Sequence, residues 1–407
     1  MRIIIVSQTY SYGNGQGSFT VQLAENMAEQ GHDVLVIVPA ESMKSYCTSC
    51  NGVQIEHVPA IHASILHPKI YLTPFPTQSI RRIFQKFQPD VVHIQDHYFL
   101  CGAAVNEARR LHIPVMGTNH FLPENLLPFA RKFPILQKIL SFPLWKMMLA
   151  VFNKLDLATT PSHTAAHILR EQNITVPVHA ISNGVDIQRF RPDPQTDRIG
   201  MRRKYGLDPE KTILLYVGRL DGEKRVDTLL DAMSLLSRND FQLAIAGFGL
   251  YEPLLRKQMH DLGLDGRVVF IGYVPPEDLP SLYNSADIFV MPSPEELQSI
   301  ATLEAMASGK PILAAGARAL PELVRPGVNG YLFRACDAQD AAHKMELILN
   351  EKEKWISMGQ ASMARVKNHS VQNTISYFED DYRKIIESTP VRRRKPTAAR
   401  ELLKKVY

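Results

Sequence analysis

The chain has 407 residues, about twice the size of a common domain, so two domains are the first expectation. Its composition, with 45% hydrophobic and 21% charged residues, is that of a globular protein. No apolar run reaches the roughly 18 residues of a membrane span, and residues 1–7 are too short and β-branched for a signal peptide. We therefore expect a cytoplasmic enzyme.

Positive charge is concentrated at the end of the chain. The net charge is +5, and residues 391–407 alone carry +6, so the remainder is close to neutral. Such a tail either attracts phosphate groups at a membrane surface or is a solvated, disordered terminus. No recognised nucleic-acid motif accompanies it, and we expect no nucleic-acid partner.

Four cysteines are too few for a disulfide framework. Cys47 and Cys50 have CxxC spacing, which can serve zinc or redox chemistry. Zinc requires a second ligand pair, and neither Cys101 nor Cys336 belongs to one. A redox motif would lie at a strand-to-helix turn, whereas this pair is predicted to lie in a polar connection. We expect it to have no chemical role.

Strand-like and helical patterns alternate along both halves of the chain. The predicted strands are 3–7, 34–39, 91–94, 115–118 and 157–160, then 213–217, 242–246, 268–271, 288–291 and 311–314. Alternation predicts parallel sheets covered on both faces, that is, an α/β fold of two doubly wound Rossmann-like domains facing each other across a cleft. The predicted units are residues 1–186, residues 187–372, a final helix at 373–390 packing back on the first domain, and the basic tail 391–407.

Ligands of such sheets bind beside the carboxyl ends of strands, where two loops are of interest. Gly13, Gly15 and Gly17 follow the first strand and lead into a helix, where glycines allow backbone N–H groups to approach an anion. This signal is weak, and a purely structural turn explains it equally well. Arg219 and Lys224 follow the first strand of the second domain, and both side chains suit diphosphate oxygens.

The most informative cluster places Glu296 and Glu304 eight residues apart across a loop-to-helix transition. If the helix begins near Ser299, the backbone N–H groups of Ser299 and Ile300 point at a phosphate. Carboxylates only accept hydrogen bonds, so both glutamates suit sugar or ribose hydroxyls. The small residues at 305–311 make the pattern more specific than the spacing alone.

These residues resemble those of retaining glycosyltransferases of family 4, which have the GT-B fold. The likeness extends from the first glycine loop to the helix at 373–386. It implies that Glu296 contacts the donor sugar, that Glu304 contacts the ribose, and that Arg219 and Lys224 hold the diphosphate. It also places Val274 at the base.

The same resemblance places Gly17 near the loop that covers the sugar and phosphates, and places His120 opposite the donor sugar as a catalytic residue. The chain departs from the family at Leu297 and Ser299, where glycine is usual. A second departure is a Gly-Phe-Gly turn at 247–249 in place of Gly-Asp-Gly.

The resemblance implies transfer with retention from a nucleotide sugar. UDP-glucose is the preferred donor, with UDP-galactose and GDP-mannose behind it. We expect neither a metal requirement, since no Asp-x-Asp pair occurs, nor a tightly bound cofactor.

The acceptor is inferred from residues 125–155, which contain no acidic residue. Lys138, Trp145, Lys146 and Lys154, beside an apolar stripe at helical spacing, predict a helix lying in an anionic membrane surface. A core-facing helix with a solvated lysine side explains the pattern equally well.

Residues 118–126 resemble those of diacylglycerol glucosyltransferases. We therefore expect a peripheral enzyme of the inner membrane face that makes a glycolipid from a lipid acceptor such as 1,2-diacylglycerol. The alternatives are a transferase with a soluble acceptor (a polysaccharide or small glycoside), a nucleotide-sugar epimerase of the same fold and a non-catalytic nucleotide-binding module.

Overall fold

The computed structural model describes residues 1–11, 15–62, 71–123 and 134–389, and only the backbone of 134–138. The first glycine loop at 12–14, residues 124–133 and the basic tail therefore lie outside the described residues. None of the described helices combines the length and apolar character that crossing a bilayer requires.

The first domain is built on an eight-stranded sheet in the order β10-β9-β8-β7-β1-β2-β4-β3. Its strands are β1 (Arg2–Val6), β2 (Asp33–Pro39), β3 (Tyr46–Cys50), β4 (Val53–Val58), β7 (Val91–Ile94), β8 (Val115–Thr118), β9 (Leu157–Thr160) and β10 (Val178–Ala180), with β5 (Ile61–His62) and β6 (Tyr71–Leu72) forming a separate ribbon. Its helices are α1 (Gly15–Glu29), α2 (Pro76–Phe87), α3 (Phe99–Leu111), α4 (Pro134–Phe152) and α5 (His163–Glu171).

The second domain is built on a six-stranded parallel sheet in the order β13-β12-β11-β14-β15-β16. Its strands are β11 (Thr212–Val217), β12 (Phe241–Ala246), β13 (Val268–Gly272), β14 (Ile288–Met291), β15 (Ile312–Ala315) and β16 (Gly330–Phe333). Its helices are α6 (Arg198–Lys204), α7 (Val226–Ser234), α8 (Glu252–Asp261), α9 (Leu279–Ser285), α10 (Ile300–Ala307), α11 (Leu320–Leu323), α12 (Ala338–Asn350) and α13 (Trp355–Val366), followed by α14 (Val371–Ser388).

The central strands are buried on both faces because their sequences are apolar throughout. In β1, Ile3, Ile4 and Ile5 are fully buried, with β2 and β7 paired in parallel on either side. Helices on both faces exclude water from such a strand, so apolar residues at every position are stabilised. The predicted α/β class with two doubly wound Rossmann-like domains is confirmed.

The last helix, α14, packs on the sheet of the first domain. Its apolar side chains share one hydrophobic cluster with β1, β2 and α1; these are Val371, Ile375, Phe378, Tyr382 and Ile385. Within this contact, His93 Nδ1 lies 2.6 Å from the Tyr382 hydroxyl and His93 Nε2 lies 2.7 Å from Thr118 Oγ1. Burial lowers the pKa of His93 to about 3, so the imidazole is neutral and both ring nitrogens require partners.

Hydrophobic periodicity did not predict most of the strands at the edges of the sheets. One of these is β3, which contains the cysteine pair, so the prediction that this pair lies in a polar connection is wrong. Cys47 and Cys50 are free, exposed and three residues apart on one strand, so their side chains point to opposite faces and cannot bind one zinc ion. The described residues contain no group of three or more His, Cys, Asp or Glu that could hold a metal.

Helix α4 corrects the prediction for Trp145. That side chain is only 5% exposed and packs in the core of the first domain with Met148 and Phe152, so it is not at a membrane interface. Lys146 is exposed, as is Lys154, whose Nζ donates to Asn106 Oδ1 at 3.0 Å. Lys138 lies in the helix, but its side chain is outside the described residues. One face of α4 therefore belongs to the core.

The contact between α14 and His93 gives a test of how this helix is held. Tyr382→Phe should lower the free energy of unfolding by about 1–3 kcal/mol, because it leaves a buried ring nitrogen without its hydrogen bond. Urea unfolding measures this. Tyr377→Phe, on the exposed side of the same helix, is the matched control and should change the value by less than about 0.5 kcal/mol. Equal values for the two variants would contradict this account.

Candidate active site

The loop that follows β11 brings two of the predicted residues together. A 3₁₀ turn at Gly222–Lys224 carries the Lys224 side chain to Glu296, where Nζ lies 2.7 Å from Oε1. Both side chains are largely buried, so the pair is only weakly screened by solvent. Arg219 is half-exposed and pairs with Asp221 and Glu223 instead. Both cationic side chains, Arg219 and Lys224, are thus paired with carboxylates of this protein.

The helix that follows Glu296 begins at Ile300, with Ser299 as its N-cap. The Ser299 hydroxyl accepts from the backbone N–H of Thr302 at 3.2 Å. Serine is among the best residues at this position because its side chain satisfies one of the free donors of the first turn. The N-terminus of α10 therefore lies directly after Glu296, where its partial positive charge favours an anion.

Glu304 lies in the second turn of α10 and is partly buried. The Tyr283 hydroxyl donates to its Oε2 at 2.7 Å. Burial raises the pKa of Glu304 to about 7, against the opposing effects of the Tyr283 hydrogen bond and the positive charge of Arg189. Near neutral pH this carboxyl group is poised between its two protonation states.

Two glycines, Gly218 and Gly247, fix the backbone beside the loop that follows β11. Gly247 has φ of +136°, and a Cβ there would lie 1.8 Å from the carbonyl oxygen of Gly218. The turn after β12 therefore packs directly on the turn after β11, which only glycine permits. Phe248, next to Gly247, and Tyr273, after β13, are exposed, with ring centroids 6.1 Å apart. Val274 is buried in the core, so a ligand could contact only its main chain.

The first domain contributes His120, which follows β8. His120 Nε2 lies 2.8 Å from Gln95 Oε1, and its ring is 4.9 Å from that of Phe19. With the amide oxygen as acceptor, Nε2 carries the proton and Nδ1 is left as an acceptor. Burial lowers the pKa of His120 to about 3, so the ring is a neutral hydrogen-bonding group.

Gln95 and Asp96, which the sequence analysis missed, follow β7 at the same edge of the sheet. Asp96 accepts from the backbone N–H of Gln8 at 2.8 Å and from Gln16 Nε2 at 3.1 Å. It thus ties the start of α1, including buried Gly17, to the sheet. The signal that could have found both residues is their polarity directly after a buried strand.

Two Rossmann-like domains, with the candidate residues at their strand ends, define the GT-B class of fold. A family model described as Glycosyltransferase Family 4 matches residues 13–189, and one described as Glycosyl transferases group 1 matches residues 197–365. The two models together match most of the chain. The chain belongs to glycosyltransferase family 4, and it is a glycosyltransferase.

Relatives of this chain differ in donor and acceptor. A GDP-mannose-dependent alpha-mannosyltransferase of Corynebacterium glutamicum is 29% identical over 342 residues, which cover 84% of this chain and 78% of that protein. An alpha-monoglucosyldiacylglycerol synthase of Streptococcus pneumoniae is 25% identical over 339 residues, covering 82% and 75%.

Among solved structures, HepE of Anabaena in complex with UDP-glucose superposes with a TM-score of 0.75 at 18% identity. The superposition covers 94% of this chain and 99% of that one. At this identity the likeness shows the fold alone.

The raised pKa of Glu304 gives a pH-dependent prediction. Between about pH 4.5 and 7 the folded protein keeps a proton that the unfolded chain has lost, so stability falls as pH rises through this window. Glu304→Gln removes that loss, and its free energy of unfolding should exceed that of the wild type by about 3 kcal/mol at pH 8 and by little at pH 4.

Thermal melting at the two pH values measures the difference. Glu346→Gln, at an exposed position of α12, is the control and should leave the melting temperature unchanged at both. A Glu304→Gln variant that gains nothing between pH 4 and pH 8 would show that burial does not raise this pKa.

Proposed function

We propose that the chain transfers glucose from UDP-glucose, with retention, to a lipid acceptor of the 1,2-diacylglycerol type at a membrane surface. The observation that carries the transferase part is the Lys224–Glu296 pair at the N-terminus of α10, with Arg219 on the same loop. A diphosphate would compete for Lys224, and this exchange would free Glu296 for hydroxyl groups of the sugar.

Catalysis in this proposal is electrostatic. Arg219, Lys224 and the N-terminus of α10 stabilise the negative charge that develops on the departing diphosphate. The acceptor hydroxyl attacks the anomeric carbon from the side of the leaving group, and its proton passes to the departing phosphate oxygen. His120 is neutral, so its Nδ1 accepts a hydrogen bond from a sugar hydroxyl without adding charge.

GDP-mannose is the second candidate donor. It is favoured by the relative from Corynebacterium glutamicum, a GDP-mannose-dependent alpha-mannosyltransferase. The exposed rings of Phe248 and Tyr273 offer a stacking surface to a base, and aromatic stacking does not by itself distinguish uracil from guanine. Both donors therefore enter the same assay.

Incubating the protein with radiolabelled UDP-glucose or GDP-mannose and vesicles that contain diacylglycerol tests donor and acceptor together. We expect label from UDP-glucose in the organic extract. Glu296→Gln should lower this rate by about 100-fold, because the amide cannot replace a carboxylate facing the sugar. Glu295→Gln, the adjacent residue, is the matched control.

Each other outcome removes one part of the proposal. Organic-phase label from GDP-mannose alone would replace the donor. Label only in a water-soluble product would replace the acceptor. Intact donors in both arms would reject both donor assignments.

The lipid part of the proposal is supported by the outer face of α4. Ile139, Phe142 and Met147 are exposed large apolar side chains, and Lys146 Nζ lies 6.0 Å from the centre of the Phe142 ring. These positions recur at helical spacing and form one face, opposite the face that packs on the core. Exposed apolar residues with a lysine among them are typical of a helix that lies in a membrane surface.

The position of this face suits a membrane acceptor. A Cβ at Gly102, near the start of α3, would lie 3.7 Å from Val151 near the end of α4. Lys154, just after α4, donates to Asn106, further along α3, so the two helices run in the same direction. The earlier turns of α4 therefore extend past the start of α3, toward the edge of the sheet where His120 lies. Lys146 and the basic tail would attract this face to an anionic membrane.

Flotation with vesicles tests the membrane face. Ile139→Glu should reduce the vesicle-bound fraction several-fold, because it places a charge among the apolar side chains that would enter the lipid. Ile356→Glu changes another exposed isoleucine, on α13, and should bind vesicles as the wild type does. Equal flotation of the two variants would exclude this face as the contact.

A further inference from the structure

The loop between Glu296 and α10 crosses from the second domain to the first. Leu297 is 6% exposed and is a member of the hydrophobic cluster of the first domain. All other buried residues of that cluster among the described residues lie between Ile4 and Val178. Leu122, two residues after His120, is also a member. A leucine of the loop between Glu296 and α10 is thus buried in the core of the opposite domain.

The next residue, Gln298, makes a polar contact across the same boundary. Its Oε1 accepts from the backbone N–H of Asn183 at 2.7 Å and from Ser182 Oγ at 3.1 Å. Both partners belong to the segment that leaves the first domain. The Gln298 side chain is buried, so these hydrogen bonds are shielded from water.

We propose that Leu297 and Gln298 form an interdomain clasp that holds the two domains closed, and Glu296 in place, before a donor binds. Both are positioning residues, because they act through Glu296, whose carboxylate is fixed from the other side by Lys224. The clasp rests on the proposed function only in that Glu296 faces the donor sugar. Its effect on domain arrangement needs no donor.

Leu297 couples the loop to the first domain through its apolar side chain, which glycine at this position could not do. Glu322 adds a third contact across the boundary, since it accepts from the backbone N–H groups of His163 and Thr164 at the start of α5.

The clasp predicts a particular kinetic pattern. If the binding-competent closed state falls to about a tenth of the molecules, the apparent affinity for the donor falls about tenfold. A saturating donor contacts both domains and restores the closed state, so kcat is preserved. Damage to the fold would instead reduce the active fraction and lower kcat without changing KM.

Small-angle X-ray scattering of the donor-free protein tests the clasp directly. Leu297→Ala and Gln298→Ala should each increase the radius of gyration. The same variants should raise the donor KM about tenfold, with kcat within about twofold, in the vesicle assay with whichever of UDP-glucose and GDP-mannose the wild type uses. Leu297→Met keeps the apolar volume and should leave both values as in the wild type.

Matched controls are Leu254→Ala and Gln360→Ala, exposed residues of α8 and α13, which should behave as the wild type. An unchanged radius of gyration in both clasp variants would overturn the proposal, as would a lower kcat with unchanged KM. Should the wild type turn over neither donor, the proposed function fails while the scattering comparison still decides the clasp.

Discussion

The structure depends on two chain segments that cross between the domains side by side. Val185 N–H donates to the carbonyl of His369 at 2.9 Å, and Val371 N–H donates to the carbonyl of Val185 at 3.0 Å. Gly184 has φ of +79°, and a Cβ there would lie 3.1 Å from the Cα of Val371, so the crossing has no room for a side chain. His120 and Glu296 lie in different domains, so the geometry of any shared site is set by this crossing.

Charge in the second domain is arranged at a cost to stability. Partial burial disfavours the charged form of Glu304, and Lys224 is paired with Glu296, with Glu223 4.0 Å away. Buried charge of this kind weakens the isolated fold, yet a ligand with a diphosphate and hydroxyl groups would satisfy the same side chains. The arrangement is typical of a site whose electrostatics are matched to a ligand and not to the empty protein.

Most of the fold follows from the sequence because buried parallel strands are apolar throughout. Strands β7, β8, β9 and β14 have the predicted bounds. The apolar stripe on α4 suits either the core or a membrane surface, and the sequence could not decide which residues of the helix would be buried. Of the two aromatic residues Phe142 and Trp145, the helix exposes the phenylalanine and buries the tryptophan. The pairing of Lys224 with Glu296 is likewise a property of the folded chain, since 72 residues separate the two.

The two departures from the family pattern near Glu296 now have a physical explanation. Neither Leu297 nor Ser299 has a positive φ, so the backbone there does not need glycine. Ser299 contributes a hydroxyl that caps α10, which glycine cannot do through a side chain. Leu297 contributes apolar surface that is buried in the first domain. The loop from Glu296 to Ser299 is therefore fixed at both ends. Glu296 is held by the ion pair with Lys224, and Ser299 is held as the N-cap of α10.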